Sequence, residues 1–119
     1  MILKKDFTLC QLRLLIRYME KKLKEQIEKL IKSSKVFLFM KGTPESPMCG
    51  FSAKSAEILK EHGINFKSFD VLKDNLIRQG VKEYSKWPTI PQLYVKGKFL
   101  GGSEILVEMA EKGELQKLL

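Results

Sequence analysis

Apolar side chains recur at Leu9, Leu12, Ile16, Met19, Leu23, Ile27 and Leu30, in steps of three or four residues. That spacing lines one face of an α-helix, which Ser33-Ser34 closes. Val36 to Met40 is instead an unbroken apolar run, the pattern of a strand covered on both faces. Lys41 to Pro47 is polar and holds the breakers Gly42, Pro44 and Pro47, so it predicts a loop. Helical spacing returns from Ser52 to His62 through Ala53, Ala56, Ile58 and Leu59, with Gly63 placed to stop it. Phe66 to Val71 predicts a strand. Asp74 to Ser85 predicts a helix opened by an aspartate cap, with Leu76, Ile77 and Val81 inward. Leu93-Tyr94-Val95 and Phe99-Leu100 flank Lys96-Gly97-Lys98, a hairpin signal. Ser103 is placed to cap a last helix, with Ile105, Leu106 and Met109 inward and Gly113 at its end, before a helical tail over Leu115 to Leu119. The order α-β-α-β-α-β-β-α predicts an α/β fold: one central mixed sheet of four strands flanked by helices.

Composition narrows the function classes. A chain of 119 residues, 44% hydrophobic, makes one domain with a core that needs no disulfide staples. Its longest apolar run is five residues, whereas a membrane span needs about 20. Two cysteines, Cys10 and Cys49, cannot build a secreted disulfide framework, which favours a reducing intracellular compartment such as the mitochondrion or cytoplasm. The net charge is +8, but residues 1–35 hold ten Lys/Arg against four Asp/Glu, while residues 36–119 hold twelve against ten. The body of the chain is nearly balanced and has no basic stripe interleaved with aromatics. Neither nucleic acid nor a membrane is an expected partner. Residues 1–20 read as an N-terminal extension and residues 21–119 as the domain. Within the extension Lys4, Lys5, Arg13 and Arg17 face only Asp6 and Glu20. Two readings stand for it: the remnant of an organelle presequence, or a longer first helix.

The chemistry concentrates between Lys41 and Ser52, where a buried strand gives way to a helix. Open sheets place ligands at such carboxyl ends. Cys49 would sit at the helix amino terminus, where free N–H groups and the helix dipole favour a thiolate. Lys41 would add a positive charge if the loop folds back. A dithiol redox motif would have cysteine at position 52; Ser52 stands there, so no intramolecular disulfide closes at this site. Cys10 reads as apolar filler or an exposed accident. A single-thiol site takes its second sulfur from elsewhere.

Cys49-Gly50-Phe51-Ser52, Lys41-Gly42-Thr43, Trp87-Pro88-Thr89-Ile90-Pro91-Gln92-Leu93 and Gly101-Gly102, in this chain order, resemble the monothiol glutaredoxins of the CGFS type, from about residue 24 to 118. The resemblance implies a thioredoxin-like (glutaredoxin) fold and glutathione binding. It also implies a [2Fe–2S] cluster held between two protomers by one protein cysteine and one glutathione thiol from each, four thiolates in all. Cys49 would then be both the catalytic thiol and the metal ligand. For glutathione, with two carboxylates and one amino group, the resemblance points to Lys41 and Arg78 as carboxylate partners. Thr89, Ile90 and Pro91 would present backbone groups beside a cis Ile90-Pro91 bond. Gly102 would allow close approach and Ser103 would offer its N–H at a helix start. Glu104 would meet the amino group. The family pattern after the glycines is usually Cys-Asp, and this chain has Ser103-Glu104. No second core thiol is therefore present to resolve a mixed disulfide with Cys49.

The first functional reading is an iron–sulfur carrier in cluster assembly and transfer, a homodimer when cluster-bound and a monomer when apo. Its partners would be acceptor apoproteins and, from the resemblance alone, BolA-like proteins. The second is a glutathione-dependent thiol–disulfide oxidoreductase. The long Lys41–Cys49 loop resembles the cluster-binding class, so turnover by that route is expected to be slow.

Overall fold

The structure is a computed structural model that describes residues 8–118. Helix α1 (Leu9–Lys32) opens at Thr8, whose hydroxyl accepts the Gln11 N–H while the Gln11 side chain accepts the Thr8 N–H. This reciprocal pair satisfies donors that a helix start leaves open. Strand β1 (Val36–Met40) follows, then α2 (Gly50–Glu61), β2 (Lys67–Asp70), a 3-10 turn (Val71–Lys73) and α3 (Asn75–Ser85). The chain ends with β3 (Gln92–Val95), β4 (Lys98–Gly101), α4 (Ser103–Glu111) and a 3-10 turn (Leu115–Leu118). The strand order is β2-β1-β3-β4, with β1 and β2 parallel and the other pairs antiparallel. This is the predicted mixed four-stranded sheet. Lys96 (φ 53°) and Gly97 (φ 82°) are both left-handed, the geometry of a tight β3–β4 hairpin.

All five residues of β1 are buried, as an apolar run without alternation requires. Val36, Leu38 and Met40 point into a core shared with Ala56, Leu59 and Leu106 of α2 and α4. Phe37 and Phe39 point the other way, among Ile27, Ile31, Ile77 and Val81 of α1 and α3. The sheet is thus covered on both faces by a helix pair.

Several expectations change in detail. Helix α2 starts at Gly50, two residues before the predicted Ser52, with Cys49 as its cap. The strand predicted over Phe66–Val71 shrinks to Lys67–Asp70, because Asp70 turns the chain by accepting the Leu72 N–H. The aspartate cap of α3 holds: Asp74 accepts the N–H groups of Leu76 and Ile77. Leu76, predicted inward, is 68% exposed; the α3 face that packs is Ile77, Gly80 and Val81. Ser103 is the first helical residue of α4 and Gly102 is the cap. In α1 only Ile27 and Ile31 are buried, and the stripe from Leu9 to Met19 is exposed. The helix runs without a break across residues 20–21, and the part of the predicted extension before Thr8 lies outside the described residues. Among the described residues no helix is long and apolar enough to cross a membrane.

Candidate functional site

The loop after β1 is folded back by its own backbone. Gly42 (φ 87°) donates its N–H to the Asp70 carboxylate at 2.9 Å, and the Met48 N–H returns to the Lys41 carbonyl at 2.9 Å. A Cβ at Gly42 would lie 2.5 Å from the Ser46 carbonyl oxygen and 2.7 Å from the Met48 nitrogen, so only glycine fits. The Lys41 N–H donates to Ser52 Oγ at 3.0 Å, which ties the loop to the first turn of α2. Ser52 is fully buried.

Cys49 caps α2 in extended conformation and is half-buried. Its thiol is pulled below the ordinary cysteine range, chiefly by the Ser52 backbone N–H. Desolvation opposes this, while the Phe51 N–H, the Lys41 charge and the Ser52 hydroxyl add to it. A helix start leaves such N–H groups unpaired, and their partial positive charge favours a thiolate at the cap position even without a closed side-chain cap bond. Cys10 is exposed on α1, away from the cleft.

Beside Cys49 lies a cleft of about 470 Å³. Lys41, Cys49 and Phe51 form one wall. The Trp87–Pro91 segment forms another, with Ile90-Pro91 in cis. Gly102, Ser103 and Glu104 at the start of α4 close the third. The Trp87–Pro91 segment is held from beneath by Gln92, which is fully buried and donates to the carbonyls of Trp87 (3.1 Å) and Thr89 (3.2 Å). Its oxygen accepts the Tyr94 hydroxyl at 3.2 Å. Burial pushes that phenol up to about 12, so it stays a donor. At Gly102 a Cβ would stand 3.1 Å from the Pro91 carbonyl, which keeps the two walls close. Two helix starts, those of α2 and α4, therefore border one cleft with two lysines, Lys41 and Lys82, and one carboxylate, Glu104. Such an arrangement suits a small zwitterionic peptide with more negative than positive groups.

Lys41, Cys49, Thr89, Ile90, Pro91, Gly102, Ser103 and Glu104 all line the cleft. Arg78 does not; the cation that α3 contributes is Lys82, one turn further along the same helix. Residues four apart share a helix face, so the sequence carried the right face but could not say which turn reaches the opening. Phe51 and Trp87 also line it, and both are exposed. Among the described residues no group of three or more His, Cys, Asp or Glu could hold a metal, and Cys49 is the one thiol in the cleft.

The glutaredoxin family model matches residues 36–100. The chain is 54% identical over 96 residues to the monothiol glutaredoxin ycf64-like protein of Synechocystis, covering 81% of this chain and 90% of that one. The chain belongs to the monothiol glutaredoxins. The rice monothiol glutaredoxin-S11 is 55% identical over 82% of this chain, but the chain spans only 20% of that longer protein. Among solved structures, reduced apo GrxS14 of poplar superposes with a TM-score of 0.70 at 52% identity, covering 80% of this chain and 87% of that one. The motifs that carry the resemblance are thus those that build the cleft of this glutaredoxin.

Proposed function

We propose that this glutaredoxin binds glutathione in the Cys49 cleft and, with a second copy, carries a [2Fe–2S] cluster for transfer to acceptor apoproteins. One observation carries the reading: a half-buried thiol with lowered pKa at a helix start, with serine and not cysteine three residues on. Such a thiolate is a ready iron ligand, and the cleft offers a cluster just one. The remaining ligands come from the glutathione thiol and from the same pair in the second copy. Lys41 and Lys82 face the tripeptide carboxylates, Glu104 its amino group, and the Thr89–Pro91 backbone its cysteine. Sulfur held by two non-covalent peptides leaves easily, which suits delivery more than storage. The compartment is a reducing one, mitochondrion or cytoplasm, and BolA-like proteins are candidate partners.

Anaerobic reconstitution with iron and sulfide, with and without glutathione, tests this by visible spectrum. The expected result is a brown protein whose colour requires glutathione and is lost in Cys49→Ser. A Cys49→Ser variant that stays brown overturns the ligand assignment.

The lowered thiol pKa also favours weak oxidoreductase activity. The Cys49 thiolate attacks the glutathione sulfur of a glutathionylated protein, releasing the protein thiolate. Free glutathione thiolate then attacks the Cys49–glutathione disulfide, releasing oxidised glutathione and restoring Cys49. Fast turnover without any cluster would make this the main function.

A further inference from the structure

The apolar stripe that seats α1 on the sheet continues past the end of the folded body. Leu9, Leu12, Leu15, Ile16 and Met19 have no covering partner, and Leu9 and Met19 are 72% and 56% exposed. The described chain is accordingly long, 62 Å against 26 and 21 Å across. Contiguous apolar surface of this kind marks an interaction site. Its occupant is indicated by spacing: Leu9, Leu12, Ile16, Met19 and Leu23 alternate in steps of three and four, the seam of a two-stranded coiled coil.

Charge and shape select the orientation. Arg13 and Glu20 flank one edge of that seam, seven residues apart. In an antiparallel pair with Ile16 of one copy layered on Met19 of the other, Arg13 of each copy faces Glu20 of the other, twice. In the same register Leu12 layers on Leu23 of the second copy. The arm tip then runs over a groove of about 370 Å³ between α1 and α3, lined by Leu23, Ile27, Gly80 and Tyr84. A parallel pair would set Leu15 opposite Glu20 and bring both folded bodies to the same end, against the face that Ile27 and Ile31 already occupy.

We propose that residues 9–23 of α1 form a reciprocal antiparallel helix pair with a second copy of this chain, each arm tip seated in the α1–α3 groove of the other. The pairing needs neither glutathione nor Cys49, and it replaces the apo monomer expected from the family resemblance. The Cys49 cleft and the α1–α3 groove share no lining residue: α3 gives Lys82 to the cleft and Gly80, Glu83 and Tyr84 to the groove.

Sedimentation equilibrium of the full apo chain, without glutathione and with Cys10→Ser to exclude disulfides, tests it. A monomer–dimer equilibrium with a dissociation constant on the order of micromolar is expected. Both arms are basic, so added salt should tighten the dimer. Ile16→Glu/Met19→Glu should weaken it by about 100-fold, or roughly 2.7 kcal/mol. The denaturation midpoint of that variant at dilutions where both chains are monomeric should be unchanged, since both side chains are exposed in the single chain. Arg13→Glu should weaken the dimer and Arg13→Glu/Glu20→Arg should restore it. In Leu12→Cys/Leu23→Cys, oxidation should link position 12 of one copy to position 23 of the other; links between like positions would overturn the antiparallel register. A chain that stays monomeric at about 300 µM overturns the proposal. A monomer that binds phosphatidylserine vesicles, and releases them with salt, overturns it in favour of a lipid surface. Cys49→Ser should dimerise unchanged, so failure of the cluster reading and failure of this one are told apart.

Discussion

The Lys41 N–H donates to the Oγ of Ser52 at 3.0 Å, so the position at which a dithiol site would carry its second cysteine instead ties the loop to the helix. The Ser52 backbone N–H and hydroxyl also help to lower the Cys49 thiol. One buried side chain thus fixes the loop and favours the thiolate. Ser52→Ala should cost about 1–2 kcal/mol of stability by leaving the Lys41 N–H unpaired, measured by urea denaturation. It should also move the Cys49 titration upward, measured by ultraviolet thiolate absorbance.

Cys49 titrates below an ordinary thiol, so its anion persists as pH falls until the depressed value is reached. The folded thiolate therefore contributes stability above the unfolded thiol value of about 8.5, and that contribution fades as pH drops through the folded value. Alkylation of Cys49 in a Cys10→Ser background should therefore have its midpoint below that of a free thiol. Lys41→Ala should raise the midpoint by at least as much as Ser52→Ala does. The Lys41 charge lowers the thiol more than the Ser52 hydroxyl does, and alanine keeps the backbone N–H at position 52. A midpoint unmoved by either change would detach the thiol from both groups.

The cleft cation on α3 is Lys82, with Arg78 outside the lining. Lys82→Ala should weaken glutathione about 5- to 10-fold by calorimetry, close to 1 kcal/mol, and leave the melting temperature nearly unchanged. Arg78→Ala should have a smaller effect on affinity. The reverse order would restore the assignment drawn from the family pattern.

Gly42→Ala should destabilise the fold by about 2 kcal/mol or more, since φ is 87° and the new carbon would sit 2.5 Å from the Ser46 carbonyl oxygen. The midpoint of urea denaturation reads the loss. Gly50→Ala meets nothing within 4 Å and serves as the tolerant control in the same motif.

Much of this glutaredoxin was legible one segment at a time. The apolar run at Val36–Met40 specified a central strand, the Asp74 cap opened α3, and the Lys96-Gly97 pair turned the hairpin, because each depends on neighbours within a few residues. The place of Cys49 at a helix start was equally local, following from the breakers before it and the helical spacing after it. What the sequence left open was decided by packing between distant segments. Whether Arg78 or Lys82 reaches the cleft depends on how α3 is rotated against α1 and the sheet, and that rotation is set by Ile77, Gly80 and Val81 finding their cover. The same dependence turned Leu76 outward. The stripe from Leu9 to Met19 has the periodicity of a buried face, yet burial requires a surface opposite it, and the folded body ends near Leu23. Periodicity is written along the chain; what lies across from it belongs to the tertiary structure.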